Sequence, residues 1–595
     1  MKNNRHITQK RKVWSFSVIT AVICLLLSIN TLHAKAKTGG LFIRELTGPL
    51  AAGASGTIGS GTNTISNGVH TINANANDAN RFAESNETNN TLSQLITIEP
   101  TVLTVMVDFS VDRGPVTYRA SGFLLGISAT TPSSALVNPL KPKFFRFDNG
   151  FGSGGIDALY PRIQSLGAVG EFILSDSYGY SAPYPGDNSD YTRWDLTVTN
   201  IVTNAKNKGQ NLQFDIWNEP SNAQFWGRSQ SQYLDMWAHT FQLIRSINPN
   251  TVIVGPSGCC TQLNTTWLQT YLTYVKANNV IPNILSWHYM DSPFNIETLV
   301  NSMRTLAANN GLTFSGYELN ESMSPTDGRN GLRPADAILY FAALERAGVS
   351  NAAKSCWNEV GGGSDCSAPR LDGLVSQDGL YPRSIWWAYK GYGDITGRLY
   401  AVTTGDSNYD GIAGYDSVSK IGKAVFGNYT SSNAGVQLRF SHLDLMSGLV
   451  NEGKIHVKVE SVPNSETSNL TSIPTVVDSE FTVSNNEVVV PLASFEPWGA
   501  VLVTLTPTGA TRVIVPRSNV SQMNVFPNPA GDVLTIELIG IAGKQQVEIF
   551  NVQGILVKEI EITGTKLINI SDLPKGIYLV HLKNNSLEVQ KFTKQ

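Results

Sequence analysis

Two short stretches of this chain put a carboxylate where a strand runs out. In the first, the apolar run Leu212 to Trp217 ends in Asn218-Glu219-Pro220. Proline cannot donate to a β ladder, so the strand stops there and Glu219 stands at its C-terminal end. In the second, Gly316-Tyr317-Glu318-Leu319-Asn320 closes another short strand. One glutamate at a strand end is usually a solvated rim residue. Two that meet can divide proton transfer and nucleophilic attack between them. That division needs strand ends that converge, and a (β/α)8 barrel supplies them at its C-terminal face.

The elements between residues 101 and 395 suit that need. Short apolar runs at 122–127, 144–148, 170–174, 212–217, 251–254, 284–288, 313–318 and 353–357 predict eight strands. Helical periodicity lies between most of them. Leu234, Trp237, Phe241 and Ile244 fall on one face of a helix over 231–247, and Ala335, Ile338, Phe341 and Leu344 do the same over 334–347. Strands alternating with helices predict a TIM barrel. An open doubly wound sheet is the competing fold, but no Gly-x-Gly-x-x-Gly follows the first strand.

With 595 residues the chain is too long for one core, so a multidomain protein is expected. Lys2, Arg5, Lys10, Arg11 and Lys12 precede an apolar segment from Val13 to Ile29 and the cleavage-like Leu32-His33-Ala34. Residues 1–34 therefore read as a signal peptide, with an uncleaved anchor as the alternative. Cys259, Cys260, Cys356 and Cys366 follow it, an even number suited to disulfides in an oxidising compartment. Their pairing stays open, with Cys356–Cys366 closing a short Gly-rich loop as one choice. Residues 35–100 are polar and Asn-rich, with a strand-like alternation over 69–76, and form either a β segment or a spacer. Residues 396–507 show the strand and turn spacing of a C-terminal β-sandwich, 508–520 form a linker, and 521–595 form a further small β-sandwich.

Several of these segments resemble known families. Trp217-Asn218-Glu219-Pro220 and Tyr317-Glu318-Leu319-Asn320, followed by Ser322-Met323-Ser324-Pro325, resemble the two signatures of clan A glycoside hydrolases, most closely family 39. The resemblance implies a secreted retaining enzyme that cleaves O-glycosidic bonds by double displacement, with a β-xylosidase-like substrate range. It makes Glu219 the acid/base and Glu318 the nucleophile, with Glu321 the competing nucleophile. It gives Asn218 a contact with the sugar 2-hydroxyl. Arg146 would hold Glu318 ionised, His288 and Tyr289 would stand near the nucleophile, and Trp357 would form a sugar platform. Asp176, Tyr178, Tyr180 and Tyr184 would line further subsites, and Asp215 and Glu359 would support the loops. Tyr317 and Leu319 depart from the usual Thr-Glu-Phe-Asn, which leaves the family less secure than the clan. Asn524-Val525-Phe526-Pro527-Asn528-Pro529, Val547 to Gly554 and Leu573 to Val580 resemble the sorting domain of the type IX secretion system. Residues 78–90 resemble the end of a CARDB-type adhesion module.

Other functions are disfavoured. A net charge of −3 with 15% charged residues provides no basic surface for nucleic acid. No Cys-x-x-Cys or His-rich set marks a metal, and no cofactor is expected. The expected partners are a carbohydrate substrate and the type IX machinery, reached through 521–595. The expected location is outside the cell, exported through the periplasm and outer membrane, without stable membrane insertion once the signal is removed. An endo-acting clan A glycanase of another family, or a non-catalytic glycan-binding protein on a barrel scaffold, are the alternatives.

Overall fold

The computed structural model describes residues 103–148, 155–260, 262–323, 331–357, 365–509, 522–539, 543–583 and 585–595, together with five strands between residues 34 and 98. The chain divides into two compact units, 1–102 and 103–595. In the first, Ala34–Lys35, Gly68–Ala76 and Thr91–Ile98 form a three-stranded sheet, so the alternation over 69–76 does become a strand. The signal segment and the CARDB-like stretch 78–90 lie outside the described residues. Among the described residues, no helix is long and apolar enough to cross a membrane.

The second unit is built on a closed barrel of eight parallel strands. They are β1 (Gly122–Leu124), β2 (Phe144–Phe147), β3 (Val169–Ile173), β4 (Leu212–Asp215), β5 (Val252–Gly258), β6 (Ile284–Tyr289), β7 (Gly316–Ser322) and β8 (Asn351–Lys354). Closure brings β1 and β8 together, and it depends on Gly122. A Cβ there would lie 2.1 Å from the Ala352 carbonyl oxygen.

The outer helices form where periodicity predicts them. Gln230–Ile247 starts at Ser229, whose hydroxyl caps the Gln232 amide, and buries Leu234, Trp237 and Ile244. Pro334–Ala347 starts with proline at its first position and ends at Gly348 in the left-handed region. Its buried side chains run all round the helix because the barrel covers one face and the β domain the other.

The β domain corrects the expected boundaries. Leu103–Pro115 pairs with Arg398–Thr404 on one side and Ala434–Ser441 on the other. It is therefore an inner strand of the nine-stranded accessory sheet, not the start of the barrel. Its alternate residues Val105, Val107 and Phe109 enter a core with Phe426, Phe440 and Val503. Trp498 carries the guanidinium of Arg333 over its ring at 3.9 Å, and so locks this domain to the start of Pro334–Ala347. The C-terminal unit packs a three-stranded and a four-stranded sheet over Met523, Ile536, Val547, Val580 and Phe592.

Candidate active site

The barrel interior is polar. Arg146 of β2 is fully buried and reaches four partners. Its Nε donates to Glu171 at 3.1 Å, Nη2 to Asp215 at 2.5 Å and to Asn218 Oδ1 at 2.9 Å, and Nη1 to Glu321 at 2.6 Å. A guanidinium has donors in a fixed fork and no neutral form to fall back on, so it can organise several buried carboxylates at once. The four lie on β3, on and just after β4, and on β7. Arg146 therefore sets the mutual placement of those strands' side chains. Glu318, expected as its partner, is not bonded to it, although the Arg146 charge still favours the ionised form of Glu318.

Glu219 follows β4 on a backbone with φ of +47°, a conformation that costs a glutamate of the order of 1–3 kcal/mol. The bend is held by bonds on both sides: the Glu219 amide donates to Ser257 O at 3.0 Å, and the Asn218 amide to Ser175 Oγ at 2.9 Å. The Glu219 carboxylate accepts from His288 Nδ1 at 2.9 Å and Asn222 Nδ2 at 2.9 Å. Because Asn218 Oδ1 accepts from Arg146, its NH2 end is the one that can donate to a sugar hydroxyl.

The partner of Glu219 at the mouth is Glu321. One oxygen of each, with a ring nitrogen of His288, lie within 4.8 Å of one another. Glu318 goes elsewhere. It is fully buried on β7, and its Oε1 accepts from Asn351 Nδ2 at 2.6 Å. Glu171 lies beside it, and the second oxygen of each is buried without a hydrogen-bond donor among the described residues. The cause lies in the length of β7. The strand does not stop at Glu318 but runs to Ser322, with a register shift against β6 and β8. Glu318 pairs with Ser286 in mid-barrel, and Glu321 pairs with His288 at the rim. Such irregularities re-aim side chains beside functional sites. A hollow of about 370 Å³ lined by Arg119, Lys143 and Asn351 opens at the opposite end of the strands, nearer Glu318 than the rim.

Electrostatics separate the two pairs. Burial pushes Glu318 up to about 7, against hydrogen bonds from Glu171 and Asn351. Burial also raises Glu171 well above its usual range, and the charges of Glu318 and Asp215 add to this. At the mouth, burial raises Glu321, with His288 and Arg146 opposing it. Burial acts on Glu219 as well, but the His288 and Asn222 bonds outweigh it and hold Glu219 below its ordinary value. Glu219 and Glu321 titrate as a pair, since each charge opposes the other.

The other expected residues divide. His288 joins the mouth. Tyr289 is buried and its hydroxyl donates to Ser292 O at 2.9 Å, which commits it to the loop after β6. Trp357 follows β8, half-buried, with its Nε1 on Met323 O at 3.2 Å. Tyr178 and Tyr184 are corrected from subsite residues to core: both are buried with their rings against Trp217. Tyr180 packs on Trp217 too, and its hydroxyl bonds Asp176. Asp215 serves Arg146, and Glu359 lies outside the described residues. Sequence reasoning gave no role to Glu171, Ser175 or Asn222, and none to Asn320 beyond its place in the motif. The signal for Glu171 is a charged residue inside the apolar run 170–174.

Two parts of the chain match known families. Residues 185–311 match the family described as Glycosyl hydrolases family 39, and residues 524–595 match the Secretion system C-terminal sorting domain. Residues 185–311 are thus similar to part of a family 39 glycosyl hydrolase domain. The matched range includes Glu219 and His288 and stops before β7, so it does not bear on the choice between Glu318 and Glu321. A 3-O-alpha-D-galactosyl-alpha-L-arabinofuranosidase of Bifidobacterium longum subsp. longum is 23% identical over 278 residues; the match spans 40% of this chain and 23% of that protein. A solved structure from Neocallimastix frontalis shares the fold with TM-score 0.60 and 24% identity, over 68% of this chain and 100% of that one. A monomeric beta-xylosidase from Caulobacter crescentus CB15 shares it with TM-score 0.50 and 17% identity, over 68% and 99%. The family places the domain among the glycoside hydrolases, and the sorting domain marks the chain for type IX export.

Proposed function

We propose that the protein is an exported retaining glycoside hydrolase in which Glu219 is the acid/base and Glu321 the nucleophile. The observation that carries this reading is the approach of Glu219 and Glu321 to within 4.8 Å, with Arg146 on Glu321. Retaining pairs stand roughly 5–5.5 Å apart and inverting pairs roughly 6.5–9.5 Å. Glu318, which the sequence motif favours, is too deep in the barrel for an anomeric carbon and has no cation bonded to it. It belongs instead to the interior network with Glu171 and Asn351.

In the first step a Glu321 oxygen bonds the anomeric carbon as the bond to the leaving oxygen breaks, and Glu219 passes its proton to that oxygen. In the second, Glu219 takes a proton from water, which attacks the glycosyl-enzyme and frees Glu321. The empty site favours the proton on Glu321, whereas the reaction needs it on Glu219. Turnover draws on the form with Glu321 ionised beside Arg146, whose charge raises Glu219. Asn218 holds the 2-hydroxyl, and Trp357 offers its ring face to a sugar.

A pentose-containing glycan is the substrate class favoured by the β-xylosidase and arabinofuranosidase relatives. The test is a panel of aryl xylosides and arabinofuranosides, with Glu321→Gly and Glu318→Gly compared with and without azide. Rescue of Glu321→Gly alone supports the assignment. Rescue of Glu318→Gly alone overturns it.

A further inference from the structure

β5 ends beside Glu219, and the two residues that follow it have no task in this scheme. Gly258, its last residue, is followed by Cys259 and Cys260, which are joined to each other as a disulfide, as Cys356 and Cys366 are. Cys260 Sγ lies 3.6 Å from Glu219 Oε1, the oxygen that also accepts from His288. A disulfide sulfur has no proton, so this is an approach of polarisable sulfur rather than a hydrogen bond.

The segment is built in. Ser221 Oγ accepts from the Cys259 amide at 2.8 Å and donates to its carbonyl at 3.2 Å. The Met290 amide donates to Cys260 O at 3.0 Å. Asn222, which bonds Glu219 Oε2, has the same amide nitrogen 4.0 Å from Cys259 Sγ. Gly258 lets the turn come close, since a Cβ there would lie 2.2 Å from the Trp287 ring. Cys259 is buried and Cys260 only partly so. A buried, hydrogen-bonded backbone thus carries a pair of sulfurs against the acid/base.

We propose that the Cys259–Cys260 disulfide is a specificity-determining contact for the departing sugar. The inference rests on the retaining reading above. The proton of Glu219 goes to the leaving oxygen, so a group touching Glu219 adjoins the leaving group. Arg146 from β2 bonds Asn218 and Glu321, and the disulfide reaches Glu219 from the end of β5. Two adjacent sulfurs without donors favour the C–H face of a ring and offer nothing to a hydroxyl aimed at them. They do here what an aromatic ring does at other sugar sites.

The test uses the full chain and two substrates with the same glycone whose departure needs a proton: the oligosaccharide cleaved best in the panel, and the methyl glycoside, which has no departing ring. Cys259→Ala/Cys260→Ala is expected to lower kcat/KM for the oligosaccharide about tenfold more than for the methyl glycoside, the size of one lost apolar contact. Equal losses overturn the inference. If that variant does not fold, Cys259→Ser/Cys260→Ser carries the same comparison. If the wild type cleaves nothing, the hydrolase reading fails separately. Calorimetry of xylotriose and arabinan oligosaccharides on wild type and variant then decides the contact: weaker binding by the variant upholds it, and unchanged binding overturns it.

Discussion

Two glutamate pairs share this barrel, and they differ in nearly everything that surrounds them. Glu219 and Glu321 stand at the rim, where Glu321 is 13% exposed by its side chain and is bonded by Arg146. Glu171 and Glu318 are sealed at 0% exposure in mid-barrel, and the second oxygen of each has no hydrogen-bond donor among the described residues. Both pairs have perturbed proton affinities, and burial is the largest influence in each. A perturbed carboxylate therefore does not by itself mark a catalytic one. What separates the pairs is access, since Arg146 bonds one member of each.

Four measurements sharpen or break that contrast. The largest effect is expected for Glu321→Gln, which should lower kcat on the order of 10⁴-fold or more by removing the nucleophile. Product analysis by NMR should show the retained anomer in the wild type, and an inverted product would break the mouth assignment. Glu219→Gln should cost about 10²- to 10⁴-fold, and least with leaving groups that need no protonation. Arg146→Met, which strips the shared cation from both pairs, should destabilise the fold by about 3–5 kcal/mol in denaturant melts.

The smallest effect is expected for Glu318→Gln, which should keep turnover within an order of magnitude. Its signature is in stability. A carboxyl near 7 when folded and near its usual value when unfolded keeps its proton in the native state while the unfolded chain loses it. Stability therefore falls as pH rises from about 4.5 to 7, the range between the two values. In Glu318→Gln that fall should shrink, read as a smaller drop in Tm between pH 5 and 8. A pH profile adds a check on the mouth: with Glu219 held below its ordinary value in the free enzyme, kcat/KM should decline from an acidic pH on the alkaline side.

Much of this architecture was legible in the residues. The eight strands and their helices followed from short apolar runs between amphipathic stretches. The end of β4 at Glu219 followed from Pro220, and the sorting domain from three separated motifs. The end of β7 was not legible. Leu319-Asn320-Glu321-Ser322 reads as a polar loop unless Arg146, Glu171 and Ser257 are already known to line the interior, where Asn320 donates to Glu171 and to Ser257 Oγ. The partnership of Leu103–Pro115 with strands almost 300 residues away was equally hidden, because its alternation suits any half-buried sheet.

The sequence alone thus determined that a strand ends in Asn218-Glu219, that a second glutamate-bearing strand answers it, and that a barrel joins them. These are local matters of backbone propensity and hydrophobic period. The tertiary structure decided which glutamate answers. Glu318 and Glu321 are three residues apart on one strand, and a register shift together with a guanidinium from β2 sends one into the barrel and the other to its mouth.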